Sequence, residues 1–142
     1  MANMAMQKNP MPTQDPQVRS GNFNEVALGY TREQAVDEAR RCLNCKHKPC
    51  IAGCPVSIHI PAFIQKVAEE DFAAAYDILA QSTALPAVCG RVCPQESQCE
   101  KFCVRGIRVS LWPSAGWNAL WRTGTTPMPR KKRKSPPPTA TR

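Results

Sequence analysis

Apolar residues recur at helical spacing along three stretches of the chain, and no stretch alternates with period two for the length of a useful strand. The first opens at Thr31, which with Gln34 three residues on reads as a capping box. It predicts a helix over 31–43 with Ala35, Ala39 and Cys42 on one face. In the second, Pro61 stands in the first turn, where its missing N–H costs nothing. Phe63, Ile64, Val67 and Ala68 then form the stripe of a helix over 61–69. The third starts at Asp71, a capping residue, and places Phe72, Ala75, Tyr76 and Leu79 at i, i+3, i+4 and i+7 of a helix over 71–81. Leu85-Pro86 ends that hairpin, and Gly90 would allow a tight turn between Cys89 and Cys93. Residues 96–102 have room for two more helical turns, from one face of which Cys99 and Cys103 would project. The pattern predicts a small all-α domain whose helices are joined by loops.

Both ends lack this periodicity. Residues 1–20 carry Met, Gln, Asn and three prolines, the composition of an extended or disordered arm. Phe23, Val26 and Leu28 are apolar enough to dock on a small core before Gly29 breaks the run. The chain thus divides into an arm at 1–20, a helical domain at 21–108 and a basic, Pro-rich tail at 109–142. With 142 residues, a single domain has little core to spare, and bound metal could act as a staple.

The net charge of +8 suggests nucleic acid until it is divided along the chain. Residues 1–108 hold 12 Lys and Arg against 11 Asp and Glu, whereas residues 109–142 hold 7 and none. The body is neutral, so any argument from basicity to nucleic acid or an anionic membrane concerns the tail alone. No apolar run reaches bilayer-spanning length, and a soluble, cytoplasmic protein is expected. No Gly-rich phosphate loop, nucleophile or acid–base pair can be named, so the residues themselves point to no bond chemistry.

The chemistry lies in eight cysteines. Cys42, Cys45, Cys50 and Cys54 are spaced C-x2-C-x4-C-x3-C and followed by Pro55. This is close to the bacterial ferredoxin run C-x2-C-x2-C-x3-C-P, in which three cysteines hold one iron-sulfur cube and the one before proline reaches a second. A second quartet follows as Cys89, Cys93, Cys99 and Cys103, with Pro94 after Cys93. Two quartets, each with a Cys-Pro, suggest two interleaved clusters. A disulfide framework needs an oxidising compartment, and residues 1–10 show no apolar leader. Structural zinc favours C-x2-C or C-x4-C arms well apart, which the second quartet does not contain. Eight clustered thiols without metal would be an oxidation hazard. His47 lies between ligands, but thiols enough are at hand. With Lys46 and Lys48 it would favour the reduced form of a nearby thiolate cluster if held close. His59 reads as a loop or capping residue.

Three longer motifs surround these positions: D-P-x-x-R-x-x-N-F-x-E-V at Asp15–Val26, R-C-L-N-C-K-x-x-P-C-x-x-G-C-P at Arg41–Pro55, and L-P-A-V-C-G-R-V-C-P at Leu85–Pro94. Over about residues 10–108 the chain resembles the N-terminal domain of the small (beta) subunit of NADPH-dependent glutamate synthase, a domain shared with dihydropyrimidine dehydrogenase. The resemblance implies an α-helical, ferredoxin-like domain with two 4Fe-4S clusters. It also implies a relay of electrons between an NADPH-reduced flavin and a partner such as the glutamate synthase large subunit. By the same resemblance, Cys42, Cys45, Cys50 and Cys103 would hold the first cluster. Cys54, Cys93 and Cys99 would hold the second, with an oxygen ligand from a downstream Glu or Gln. Cys89 is left over in that scheme, although it could serve the second cluster if its loop bends far enough. Family members continue into FAD and NADPH domains with glycine-rich fingerprints that this chain does not carry, so no NADPH oxidation is expected of it alone.

After Arg108 the chain departs from the family. The string V-S-L-W-P-S-A-G-W-N-A-L-W-R-T-G, back-translated and read two bases later, permits the family's E-P-V-A-I-G-R-L-E-R-F-V-A-D-W. We read residues 109–142 as the out-of-frame product of a frameshift at the Arg108 codon. The codon for the family's carboxylate then straddles those of Trp117 and Asn118. On this reading the second cluster lacks its fourth ligand and falls readily to a three-iron form. Trp112, Trp117 and Trp121 are expected to be disordered or loosely collapsed, and the basic run from Pro129 to Lys134 needs no nucleic-acid role. The rival reading is a zinc-stapled interaction module whose basic tail binds nucleic acid.

Overall fold

In the computed structural model, which describes residues 3–106, the capping box forms as the sequence predicts. The Gln34 N–H donates to Thr31 Oγ1 at 3.3 Å, and the Thr31 N–H donates to Gln34 Oε1 at 2.9 Å. The described residues are helical, in the order α1 (Pro16–Arg19), α2 (Arg32–Ala39), α3 (Pro49–Ala52), α4 (Ile60–Ala68), α5 (Phe72–Ser82), α6 (Pro86–Val92) and a short 3-10 turn at Gln95–Ser97. No strand occurs among them; Thr13 and Ala27 make one isolated antiparallel bridge. No described helix is long and apolar enough to cross a membrane.

The core is built on α4, which packs against both α2 and α5. It buries Ile60, Phe63, Ile64 and Val67, and meets Ala35, Val36 and Ala39 of α2 and Phe72, Ala75 and Leu79 of α5, with Tyr30 alongside. Small residues on α2 and α5 let the helices approach closely, so few large side chains suffice. Cys42, Cys50, Cys54 and Cys99 pack against the edge of this cluster, which makes the core one wall of the sulfur-rich region. Asp71 caps α5 by accepting from the Ala74 N–H at 3.0 Å. Asp71→Ala is expected to cost about 1 kcal/mol of stability, read as a lower denaturant midpoint with an unchanged slope.

Four local readings are corrected. The helix predicted over 31–43 ends at Ala39, because the chain tightens into i→i−3 bonds, Arg41 N–H to Glu38 O and Cys42 N–H to Ala39 O, both 3.0 Å. Gly90 sits inside α6, which Pro86 opens at N1, so Cys89 and Cys93 stand one helical turn apart. Residues 96–102 form one 3-10 turn and further turns, since Gln98 leaves helical geometry (φ −108°, ψ −116°). Phe23 does not dock on the core and is fully exposed, and Val26 and Leu28 are also exposed.

The first residues lie against the body. The Asn3 N–H donates to Arg40 O at 2.8 Å, and Tyr30 Oη donates to Asn9 O at 2.6 Å. Asn9 reaches Glu38 Oε2 through both its backbone N–H (2.8 Å) and its Nδ2 (3.0 Å). Readings that fall on the tail, including its three tryptophans and its basic run, lie outside the described residues.

Candidate metal centre

Local backbone geometry turns the cysteines inward. Cys42 lies just beyond the tightened end of α2. Asn44 and Lys48 both adopt left-handed backbone (φ 46° and 45°), which reverses the chain on either side of Cys45. Lys48 then leads into α3, whose Pro49 stands at N1 with Cys50 next to it. Gly53 separates Cys50 from Cys54 and makes room for the other half of the site. A Cβ at Gly53 would collide with the Phe102 ring and lie 3.1 Å from the Gln98 carbonyl oxygen. Gly53→Ala is therefore expected to cost about 1–3 kcal/mol by overpacking, and to displace the 98–103 segment that carries Cys99 and Cys103. Thermal unfolding and the iron content of the variant check both effects.

Two neighbouring cavities collect the thiols. The first, ≈ 50 Å³, is bordered by Cys42, Cys45, Cys50, Cys99 and Cys103, with Ile60, Pro61 and Ile64 as its apolar wall, and Arg41, Glu100 and Arg105 also border it, almost entirely through apolar atoms. The second, ≈ 130 Å³, is bordered by Cys54, Cys89, Cys93 and Cys99, with Ile58, Phe63, Leu79, Gln95 and Gln98. Cys99 and Ile60 border both. All eight cysteines are half-buried, and no disulfide joins any of them. Cys54 parts from its sequence neighbours to join the second cavity, and Cys103 parts from its own to join the first.

Burial raises the pKa of three of the thiols. Burial first, then the neighbouring Cys103 and Cys42 thiols, push Cys50 up to about 12. Burial raises Cys42 as well, and Cys93 is raised by burial and then by the adjacent Cys89 and Cys54. Thiols raised in this way stay protonated at neutral pH until a metal takes the proton's place. Among the described residues no three His, Cys, Asp or Glu side chains converge on the position of a single ion. Four thiols around one tetrahedral ion would lie roughly 4 Å apart at metal–sulfur distances near 2.3 Å. In a 4Fe-4S cube each thiolate takes a different iron, so the thiols stand wider apart around the group. Five thiols on the first, largely apolar cavity and four on the second can each supply the donor set of such a cube, and the residues present fit it.

The cations beside the first cavity are not those the sequence suggested. Lys46, His47 and Lys48 are exposed and do not border it, and His59 is the exposed N-cap residue of α4. Arg41 and Arg105 border it instead, at 1% and 8% exposure. Arg41 pairs with Glu38, itself fully buried. Arg105 donates to the carbonyls of Asn3 (3.3 Å) and Ala5 (2.5 Å), which ties the start of the described chain to its end.

A family model described as dihydropyrimidine dehydrogenase domain II, 4Fe-4S cluster, matches residues 19–112. The chain is 38% identical over 95 residues to the glutamate synthase [NADPH] small chain of Halomonas elongata, covering 63% of this chain and 20% of that one. It is 35% identical over 98 residues to the same subunit of Escherichia coli, covering 69% and 21%. It is 38% identical over 83 residues to the NAD-dependent dihydropyrimidine dehydrogenase subunit PreT of Salmonella typhimurium, covering 58% and 20%. The chain therefore spans about one fifth of the length of these relatives. The match is to an iron-sulfur domain and lends nothing to a zinc-stapled nucleic-acid module.

Proposed function

The chain belongs to the family of dihydropyrimidine-dehydrogenase-type 4Fe-4S domains, and from that premise we propose that it is a two-centre electron-transfer module of a larger oxidoreductase. The observation that carries this reading is the division of the thiols between two adjoining cavities that share Cys99 and Ile60. Cys42, Cys45, Cys50 and Cys103 hold the first 4Fe-4S cluster. Cys54, Cys93 and Cys99 hold three corners of the second. When bound, such clusters accept and donate single electrons.

The protein's own residues set the conditions for that exchange. Ile60, Pro61 and Ile64 keep water from the inner wall of the first cavity. The buried guanidiniums of Arg41 and Arg105 beside it are matched by the buried carboxylates of Glu38 and Glu100, so the charge around the site is balanced. The shared border at Cys99 supports two centres lying side by side. By likeness to the glutamate synthase [NADPH] small chains and the NAD-dependent PreT, the electron source is a nicotinamide-linked unit, through the flavin that the family resemblance implies, and the acceptor is a glutamate synthase large subunit or similar redox partner. The domain takes part in no bond chemistry, and residues 109–142 are the out-of-frame product of a frameshift at the Arg108 codon.

A potentiometric titration of the anaerobically loaded full chain, followed by electron paramagnetic resonance, tests the module. The expected result is two reversible one-electron reductions with interacting signals. Iron centres that cannot be reduced reversibly would overturn the reading.

A further inference from the structure

We propose that Cys89 is the fourth ligand of the second centre, so that Cys54, Cys89, Cys93 and Cys99 form a complete thiolate set within this chain. The inference rests on the two-cluster reading above and assigns the corner which that reading leaves open. It follows from α6. Cys89 lies within α6 (Pro86–Val92) and Cys93, four residues on, is the residue that closes it (φ −67°, ψ 129°). The Cys93 N–H donates to Cys89 O at 3.1 Å, which fixes their relative height. Both side chains border the cavity bordered by Cys54 and Cys99, and no bending of a loop is needed to bring Cys89 there. Of the four thiols on that cavity, Cys89 is the one for which the three-cysteine scheme has no use.

Its surroundings suit a ligand held in place. Cys89 Sγ lies 3.7 Å from Thr83 Oγ1, which also accepts from the Leu85 N–H at 3.2 Å. The threonine thus anchors the start of α6 and stands beside the sulfur. From outside, Arg91 on the same helix donates through Nε to Glu25 Oε1 at 2.9 Å and through Nη1 to Ala87 O at 2.6 Å. On binding, the Cys89 thiol gives its proton to solvent, its sulfur forms one bond to iron, and the water that would otherwise occupy that iron leaves. No electron is transferred in the exchange.

The experiment uses the full chain, loaded anaerobically with iron and sulfide. Holoprotein is alkylated with iodoacetamide before and after the iron is stripped by chelator, and the sites are read by mass spectrometry. The Cys89→Ala variant is assayed in parallel for iron and for a three-iron resonance signal after mild oxidation. The proposal expects Cys89 to be blocked in the holoprotein and alkylated once iron is removed, as Cys93 is. It also expects Cys89→Ala to lose about one quarter to all of the second centre's iron, as a missing corner ligand implies, while the first centre's iron shows that the variant folds. Should the alanine variant lose both centres, Cys89→Ser takes its place and should show an altered second-centre spectrum. Alkylation of Cys89 in holoprotein that still protects Cys93, or a variant as iron-rich and oxidation-resistant as the parent, would overturn it. Wild-type protein that assembles no iron-sulfur centre would instead sink the two-cluster reading, and this inference with it.

Discussion

Cys50→Ser removes the first centre and leaves the second, so that the iron bound per chain falls from about eight to about four. The expectation rests on where Cys50 lies. It follows Pro49 in α3 and borders the first cavity with Cys42 and Cys103, and it packs against the helical core. Serine there is a hard, weakly acidic oxygen in a site whose burial already resists charge. The second cavity draws on Cys54, Cys89, Cys93 and Cys99 and does not include Cys50. Iron and sulfide analysis with the resonance spectrum of the reduced variant checks this. Loss of all iron would mean that the centres assemble only together, and full retention would remove Cys50 from the ligand set.

The second large effect is expected at Glu38→Ala. Glu38 and Arg41 form an ion pair at 0% and 1% exposure, and Glu38 Oε2 also accepts two hydrogen bonds from Asn9. Removing the carboxylate takes one counter-charge from the Arg41 guanidinium buried at the rim of the first cavity and two acceptor contacts from Asn9, at a cost of about 3 kcal/mol, the lower end for breaking a buried pair. For a domain this small that is a large part of the whole stability, of order 5–15 kcal/mol. The same change releases Asn9, and through it the segment that Tyr30 holds by its hydroxyl. Denaturant unfolding should show a much lower midpoint, whereas a loss under about 1 kcal/mol would mean that the pair is not buried in solution.

What could be read in advance was what neighbouring residues decide. The Thr31–Gln34 box, the Asp71 cap and the stripes of α4 and α5 are local patterns, and each marks an element at nearly its observed position. The end of α2 was not legible, because its closing i→i−3 bonds depend on where Cys42 and Arg41 are held by the rest of the fold. α6 was missed because Pro86 and Gly90 both look like punctuation, although proline at N1 and glycine in a short helix are tolerated. That misreading also hid the cavity that Cys89 and Cys93 share.

The thiols of the site stood out in the sequence by type and spacing. Their environment did not. Lys46, His47 and Lys48 are close to the cysteines in sequence yet exposed to solvent, whereas Arg105 borders the first cavity and donates to the carbonyls of Asn3 and Ala5. Buried charges such as Glu38 and Arg41 are pairings between segments far apart or across a helix end, and no single stretch of sequence announces that they will be desolvated together. Arg41 had one visible sign, its place directly before Cys42 in the first motif.

The central claim is that these eight thiols bind iron-sulfur clusters, and its most direct test is the iron, acid-labile sulfide and zinc content per chain of the anaerobically purified full chain. Two clusters predict about eight iron and about eight sulfide with negligible zinc. Zinc at about one or two per chain, without sulfide, would contradict the account.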